Sequence, residues 1–404
     1  MTRTITIDRP AVAHVEAARL LDQRQDPGTL LPTRVDSLLA TARQIQTDLD
    51  PQDVDRPLSE GFFRYHDGKA AFAWRNTDGS FEAPQSFTRR GLRQLGYRVL
   101  GGGGTKYMGT LANSGTHGRK LAEVNWNFGM QSQTRPTLLR SVQLPGQKYR
   151  TIRASLSGGG RGYSVLDNID LIELLADSPE LRDLPIISSR IDADSMRIRG
   201  LLNPEDAALF DPTTGKARNP GNAHICGLNI PVAMWEIGNG EVGNGSSWID
   251  SGIYWIGCLN GLGSYSSGAG WRWNHSGGAD RAERVKSGII GAIKSMRIQA
   301  SGQIADYKAA TEVAIDDAFG LLDAWGDNDL TEAQRDRAKG AMIDPTSCPN
   351  SKLATIIDGV TLAAQRESDP SRQRDMEKFA ARLLQKGIEM ARQSGGRIEM
   401  ASAA

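Results

Sequence analysis

A few polar residues stand at spacings that could do chemistry. Asp192 and Asp194 alternate in a strand-like segment, so they project to one face, and two such carboxylates can hold a divalent cation. With Glu241 they would make the acid set of a metal-dependent nuclease or other hydrolase. No further acid stands at a recognisable ligand spacing, and a solvated strand face is the plainer reading. Cys258 and His275 could pair as thiol nucleophile and base, but nothing else in the sequence orients them. His224 and Cys226 lack the doubled spacing of structural zinc. Gly238, Gly240 and Gly243 match the dinucleotide pattern Gly-x-Gly-x-x-Gly. The text after them is strand-like, however, and Glu241 puts a carboxylate where a pyrophosphate would lie. No Gly-x4-Gly-Lys-Ser/Thr loop occurs. The sequence therefore predicts no catalytic residue, no metal and no cofactor.

Charge carries a stronger signal. The chain has 404 residues, 48 basic and 47 acidic, for a net charge of +1. Between Ala83 and Leu166 stand thirteen Lys or Arg and a single acid, Glu123, so that window is +12 and the remainder −11. Phe87, Tyr97, Tyr107, Trp126, Phe128, Tyr149 and Tyr163 run through it. Cations can track a phosphate backbone while exposed rings stack on unpaired bases. On this reading Arg89, Arg90, Arg93, Lys106, Arg119, Lys120, Arg150, Arg153 and Arg161 meet phosphates, and Tyr107, Tyr149 and Tyr163 stack.

The remaining composition narrows the setting. Three cysteines rule out a disulfide scaffold and favour a reducing, cytoplasmic compartment. The first residues lack the apolar core of a signal peptide. No apolar run approaches 18 residues, so no membrane span is expected.

These residues need elements to hold them. Helical spacing marks 11–24 and 33–48. Asp67-Gly68 and Asp78-Gly79 separate short aromatic runs over 61–83, a pattern for a three-strand meander. Ser86 or Thr88 can cap a helix carrying Leu92, Leu95 and Val99. Gly101–Gly104 reads as loop. Tyr149–Ser157 and Gly162–Leu166 read as strands, and Asp167 as the cap of a helix that stops near Pro179. Residues 185–202 and 223–262 alternate as strands do. From about 281 the text is helical, with a capping box at Thr331–Gln334 and a buried stripe of Met376, Phe379, Ala380, Leu383, Leu384 and Ile388. The expected fold is α+β: an N-terminal helical segment (1–60), a β-rich mixed or antiparallel central domain (61–280) containing the basic window 83–166, and a helical C-terminal region (281–404).

Several ordered blocks resemble a known group. Asn239, Glu241, Val242, Gly243, Gly245 and Ser246 resemble the Asn-Ser-Glu-Val-Gly-x-Gly-Ser block of the phage/plasmid-like protein family, a domain of unknown function numbered 932. Tyr254, Cys258, Asn260 and Gly261 look like its Leu-Tyr-Arg-x-x-Cys-x-Asn-Gly, and His275 with Gly277 its closing His-x-Gly. Upstream, Arg153, Ala154 and Ser157, then Tyr163, Leu166, Asp167 and Asn168, follow its Arg-Ala-x-x-Ser…Tyr…Leu-Asp-Asn pattern. The resemblance spans roughly residues 150–280 and implies a phage, prophage or plasmid setting. Physically, Gly243 and Gly245 suit a tight turn, Glu241 can accept backbone N–H bonds, Cys258 suits a central strand, and Asn260-Gly261 reads as a hairpin turn.

The function expected from the sequence is binding or annealing of single-stranded DNA in recombination or replication of a mobile element. It would be non-enzymatic and carried out by a homo-oligomer. A metal-dependent nuclease is the first alternative. An anti-host or other protein-interaction factor, its basic window meeting an acidic protein surface, is the second.

Overall fold

The computed structural model describes residues 35–66, 68–158, 165–191, 195–209, 231–241, 246–255, 260–263, 270–273, 281–342, 352–367 and 370–398. The chain is an α+β protein built on two separate sheets, with helices between and after them.

Helix α1 (Val35–Leu49) precedes the first sheet. That sheet holds β1 (Gln52–Pro57), β2 (Gly61–His66), β3 (Lys69–Trp74), β4 (Gln85–Phe87), β5 (Pro136–Val142) and β6 (Thr151–Ser157), in the order β1-β5-β6-β4-β3-β2. Only β4 and β6 run parallel. The expected meander is β2–β3–β4, and its turns place Gly68 and Gly79 at φ 74 and 84, where a side chain would be strained. β1 lies at the end of the N-terminal segment 1–60, beyond the helix expected over 33–48. Its Gln-Asp-Val-Asp-Arg-Pro is polar because it is a half-exposed edge strand, so no apolar alternation announces it.

Between β4 and β5 the chain inserts three helices, α2 (Arg89–Leu100), α3 (Gly104–Asn113) and α4 (Thr116–Gln131). They cover one face of the first sheet. Leu95, Met108, Ala122, Trp126 and Met130 close a core over Phe63, Phe72, Trp74, Leu139 and Ile152. Trp126 stacks on Phe63 with ring centroids 4.7 Å apart.

Helix α5 (Asn168–Ala176) begins with the expected Asp167 cap, in a capping box closed by Asp170. The short α6 (Pro179–Arg182) leads into the second sheet. There β7 (Ile186–Ile191), β8 (Ser195–Leu201), β9 (Pro231–Gly240), β10 (Ser247–Trp255) and β11 (Asn260–Gly263) run antiparallel in reverse order, and β12 (Trp271–Trp273) pairs with β10. Gly238 faces Trp248 across strands, and Gly200 faces Trp235. A Cβ at either glycine would overlap the indole, so these glycines seat rings and do not cradle phosphate. Asn260 and Gly261, expected in a turn, instead pair with Trp255 and Tyr254 as strand residues.

Helix α7 (Arg281–Ala310) packs Val285, Ile289, Ile293 and Met296 on the second sheet, then carries Tyr307 and Ala310 into a third core. That core belongs to α8 (Ala318–Gly326), α9 (Glu332–Met342), α10 (Leu353–Gln365) and α11 (Pro370–Gln393), with the small parallel pair β13 (Ala314–Ile315) and β14 (Arg397–Ile398). The stripe from Met376 to Ile388 is buried in it, as its periodicity predicts. An ion network fastens α11 to the second sheet. Arg197 and Arg199 both bond Glu236 and Glu377, while Arg374 bonds Asp250 at 2.5 Å and lies over the Trp248 ring. Burial works against ionisation of Glu236, but Arg197 and Arg199 prevail and hold its pKa down to about 2.

Candidate nucleic-acid interface and the buried signature cluster

The three inserted helices all begin with cations. Thr88 caps α2 by accepting from the Gly91 N–H, and Arg89 and Arg90 follow at once. Lys106 lies in the first turn of α3, and Arg119 and Lys120 within the first five residues of α4. None of the three has an acid in its first turn, and neither α3 nor α4 has a side-chain cap. Helices ordinarily place acids there, because the N-terminal end of the dipole is positive. Here side chains and dipoles add with the same sign.

Arg89, Arg90, Arg93, Lys106, Arg119 and Lys120 are all exposed. So are rings on the same helices: Tyr97 is 72% exposed, Tyr107 57% and Phe128 78%. Glu123, the one acid of the window, points inward. Its Oε1 accepts from the Tyr65 N–H at 2.5 Å, and beside it Asn127 accepts from the Phe63 N–H and donates to the Phe63 carbonyl, both at 2.8 Å. Two α4 side chains thus close the open edge of β2. Arg98 is likewise engaged, donating to Ser155 O at 3.1 Å and Ser157 Oγ at 2.9 Å where β6 runs past the end of β4.

The structure brings together only part of the expected phosphate set. Arg150 is held by Asp50 at 2.7 Å at the surface, and Arg153 is buried in an ion pair with Glu241, so both are engaged within the chain. Arg153 is a β6 residue facing Glu241, and Arg150 directly precedes β6 beside Asp50, which follows α1. Tyr149 is half-buried, edge-on to His66 with Lys148 over its ring. Arg161 and Tyr163 lie outside the described residues. Tyr97 and Phe128 were visible as part of the window's aromatics, but only helix geometry singles them out as exposed.

Arg153 leads to a second site. In the β5–β6 ladder Arg140 faces Ala154 and Ser141 faces Ile152, which leaves Arg153 as the extra residue of a bulge. Its Nη1 donates to Glu241 Oε2 at 2.7 Å, and Glu241 Oε1 accepts from the Asn168 N–H at the start of α5. Arg140 donates to Asp53 at 3.0 Å, to Asp167 at 2.5 Å and to the Glu241 carbonyl at 2.9 Å. Asn239 donates to Leu166 O and Asn168 Oδ1, and accepts from Ser247. Burial pulls the Arg140 pKa down, but Asp167 and Asp53 outweigh it and leave the guanidinium more firmly protonated than usual. Burial pushes the Glu241 carboxyl above its ordinary range against the pull of Arg153. The three sequence blocks around Arg153, Asp167-Asn168 and Asn239–Glu241 therefore meet in one buried network joining the first sheet, α5 and the second sheet. The backbone N–H that Glu241 accepts is that of Asn168, 73 residues upstream of its own segment.

A cavity of about 40 Å³ adjoins this network, walled by Ile45, Leu49, Val142 and Ile191 and by Arg153, Asp167, Asn168 and Glu241. That is far below the roughly 300 Å³ at which small-molecule sites begin. Glu241 is committed to Arg153 and Asn168. Asp192, Asp194, His224, Cys226, Val242, Gly243, Gly245, Cys258 and His275 lie outside the described residues, as do the side chains of Tyr254 and Asn260. Among the described residues, no three His, Cys, Asp or Glu side chains group as a metal site requires. No described helix is long and apolar enough to cross a membrane.

By these elements the chain is an α+β protein with an exposed cationic helical layer and a buried polar junction. No protein-family model, curated protein or solved structure matches it.

Proposed function

We propose that the chain binds nucleic acid through helices α2–α4, with a preference for single strands, as a non-enzymatic binding or annealing protein in mobile-element DNA recombination or replication. The observation that carries this reading is the run of three consecutive helix starts with cations and no acid. Phosphates are favoured at such ends by both the dipole and the side chains. The exposed Tyr97 and Tyr107 on the same helices favour unpaired bases over duplex, because a stacked base offers no face to a ring. They also weigh against a purely protein-directed basic patch, which has no need of exposed rings. The mobile-element setting rests on the resemblance of the blocks at residues 150–280.

The test is fluorescence anisotropy with single- and double-stranded oligonucleotides across a salt titration. Wild type is expected to bind single strands more tightly and to lose affinity as salt rises. Arg89→Glu/Arg93→Glu/Lys120→Glu is expected to abolish binding with no change in thermal midpoint, since all three residues are exposed. Absence of binding at low salt, or binding indifferent to salt, overturns the proposal.

A further inference from the structure

The second sheet carries a cluster of charge that the nucleic-acid reading does not use. Ile249 of β10 and Trp273 of β12 turn to the core under α7, so Trp248, Asp250 and Arg272 share the opposite face, with Arg272 and Trp248 paired across the strands. Arg374 of α11 reaches this face, donating to Asp250 Oδ2 at 2.5 Å and lying over the Trp248 ring. Arg272, itself exposed, stands 3.8 Å from the same oxygen. Glu236, 4.0 Å from Arg374, is already bonded by Arg197 and Arg199. One turn further along α11, Lys378 is half-buried and makes no hydrogen bond or ion pair among the described residues.

The geometry points to a binding site for a phosphate group, formed by Arg272, Arg374 and Lys378. Three cations meet one carboxylate there, which leaves an excess of two positive charges. Burial pulls the Lys378 ammonium below its ordinary pKa. Arg374 and Arg272 pull it further, each more strongly than Asp250 or the exposed Asp375 opposes them. An ammonium taken half out of water beside two guanidiniums costs free energy that a bound anion offsets. The excess matches a phosphate monoester or free phosphate, with a charge of about −1.5 to −2 at neutral pH, better than a carboxylate or the single charge of an internal phosphodiester. The three cations divide the work. Arg374 is held in place by Asp250 and Trp248, the exposed Arg272 offers a planar fork to two phosphate oxygens, and Lys378 supplies a point charge. The inference does not rest on nucleic-acid binding by α2–α4.

The experiment is isothermal titration calorimetry of the full chain with inorganic phosphate, at constant ionic strength and neutral pH. Wild type is expected to bind one phosphate per chain, and acetate not measurably. Lys378→Gln and Arg272→Gln are each expected to weaken phosphate binding about ten-fold. In chloride buffer Arg272→Gln should keep the wild-type thermal midpoint, and Lys378→Gln should keep or raise it, because a half-buried unpaired charge is gone. Absence of saturable phosphate binding by wild type overturns the inference. So does wild-type affinity in both variants, or acetate binding as tightly as phosphate. The source of the phosphate is read in Arg89→Glu/Arg93→Glu/Lys120→Glu, where contact through α2–α4 is removed. Preference there for an end-phosphorylated over an unphosphorylated oligonucleotide, lost on adding Lys378→Gln, assigns the end of a strand. Binding of inorganic phosphate without that preference assigns a small phosphate compound. Failure of α2–α4 to bind nucleic acid leaves the calorimetric result untouched.

Discussion

Arg153 and Arg150 carry the same guanidinium as Arg89 and Arg93, yet their environments give them opposite work. Arg153 is the odd residue of a bulge and neutralises Glu241, whereas Arg93 lies on the solvent side of α2. Charge counting along the chain sees the guanidinium but not the carboxylate, which comes from 88 residues downstream. Asp358 on α10 is a second residue whose chemistry only the fold reveals. It is half-buried among the C-terminal helices, with Tyr307 donating to both its oxygens at 3.0 and 3.2 Å. Burial lifts its pKa from 3.8 to about 7, against the opposing pull of the Tyr307 hydrogen bond. The folded pKa exceeds the unfolded one, so the folded chain holds this proton where the unfolded chain has lost it. Its contribution is therefore full below about pH 4, declines as pH rises toward 7, and is level above that, a loss of about 4 kcal/mol at most. In Asp358→Asn that decline is expected to disappear. Thermal midpoints of the two proteins between pH 5 and 8 check this: the wild-type midpoint should fall relative to the variant across the interval, and parallel curves would refute it.

Element by element, legibility followed the placement of apolar residues. Helix α2 was readable because Thr88 caps it and its inward residue Leu95 is large. The meander was readable because Asp-Gly turns bracket aromatic runs. Helices α3 and α4 were not. Glycines at 104, 109, 115, 118 and 129 suggest turns, and α4 buries Gly118 and Ala122 while exposing Leu121, Val124 and Phe128. Its apolar periodicity thus points the wrong way, outward, and no single face stands out. The reason for the small residues is close approach: a Cβ at Gly118 would overlap the Leu111 carbonyl and Ser114 Oγ at the end of α3. Helix propensity alone would make Gly118→Ala stabilising by nearly 1 kcal/mol. The overlap is with backbone, which cannot swing aside, so the substitution is expected to destabilise by about 1–3 kcal/mol. Urea unfolding followed by fluorescence of the Trp126 core decides the sign. The buried cluster of Arg153, Asn168, Asn239 and Glu241 was legible only as separated blocks, since nothing local says that they meet.

At the scale of the molecule, the +12 window divides into an inner and an outer part. Arg140, Arg150 and Arg153 fasten the first sheet to carboxylates from elsewhere in the chain, and Arg98 serves β6. Arg89, Arg90, Arg93, Lys106, Arg119 and Lys120 remain outward on the helical layer. This division predicts how steeply binding should respond to salt. Each phosphate neutralised on a single strand contributes about 0.7 to the slope of log affinity against log salt. The six exposed cations of the helical layer by themselves set a slope of about −4, and exposed Arg135 and Lys148 would raise it to about −6, whereas engagement of all thirteen would approach −9. A measured slope near −4 that flattens by about 2 in Arg89→Glu/Arg93→Glu/Lys120→Glu, for whatever binding survives at low salt, assigns the contact to α2–α4. A slope near −9 would mean that the inner arginines leave their carboxylates to meet phosphate. That would require the junction between the two sheets to open, and the cost of exposing Glu241, Asp53 and Asp167 without partners argues against it.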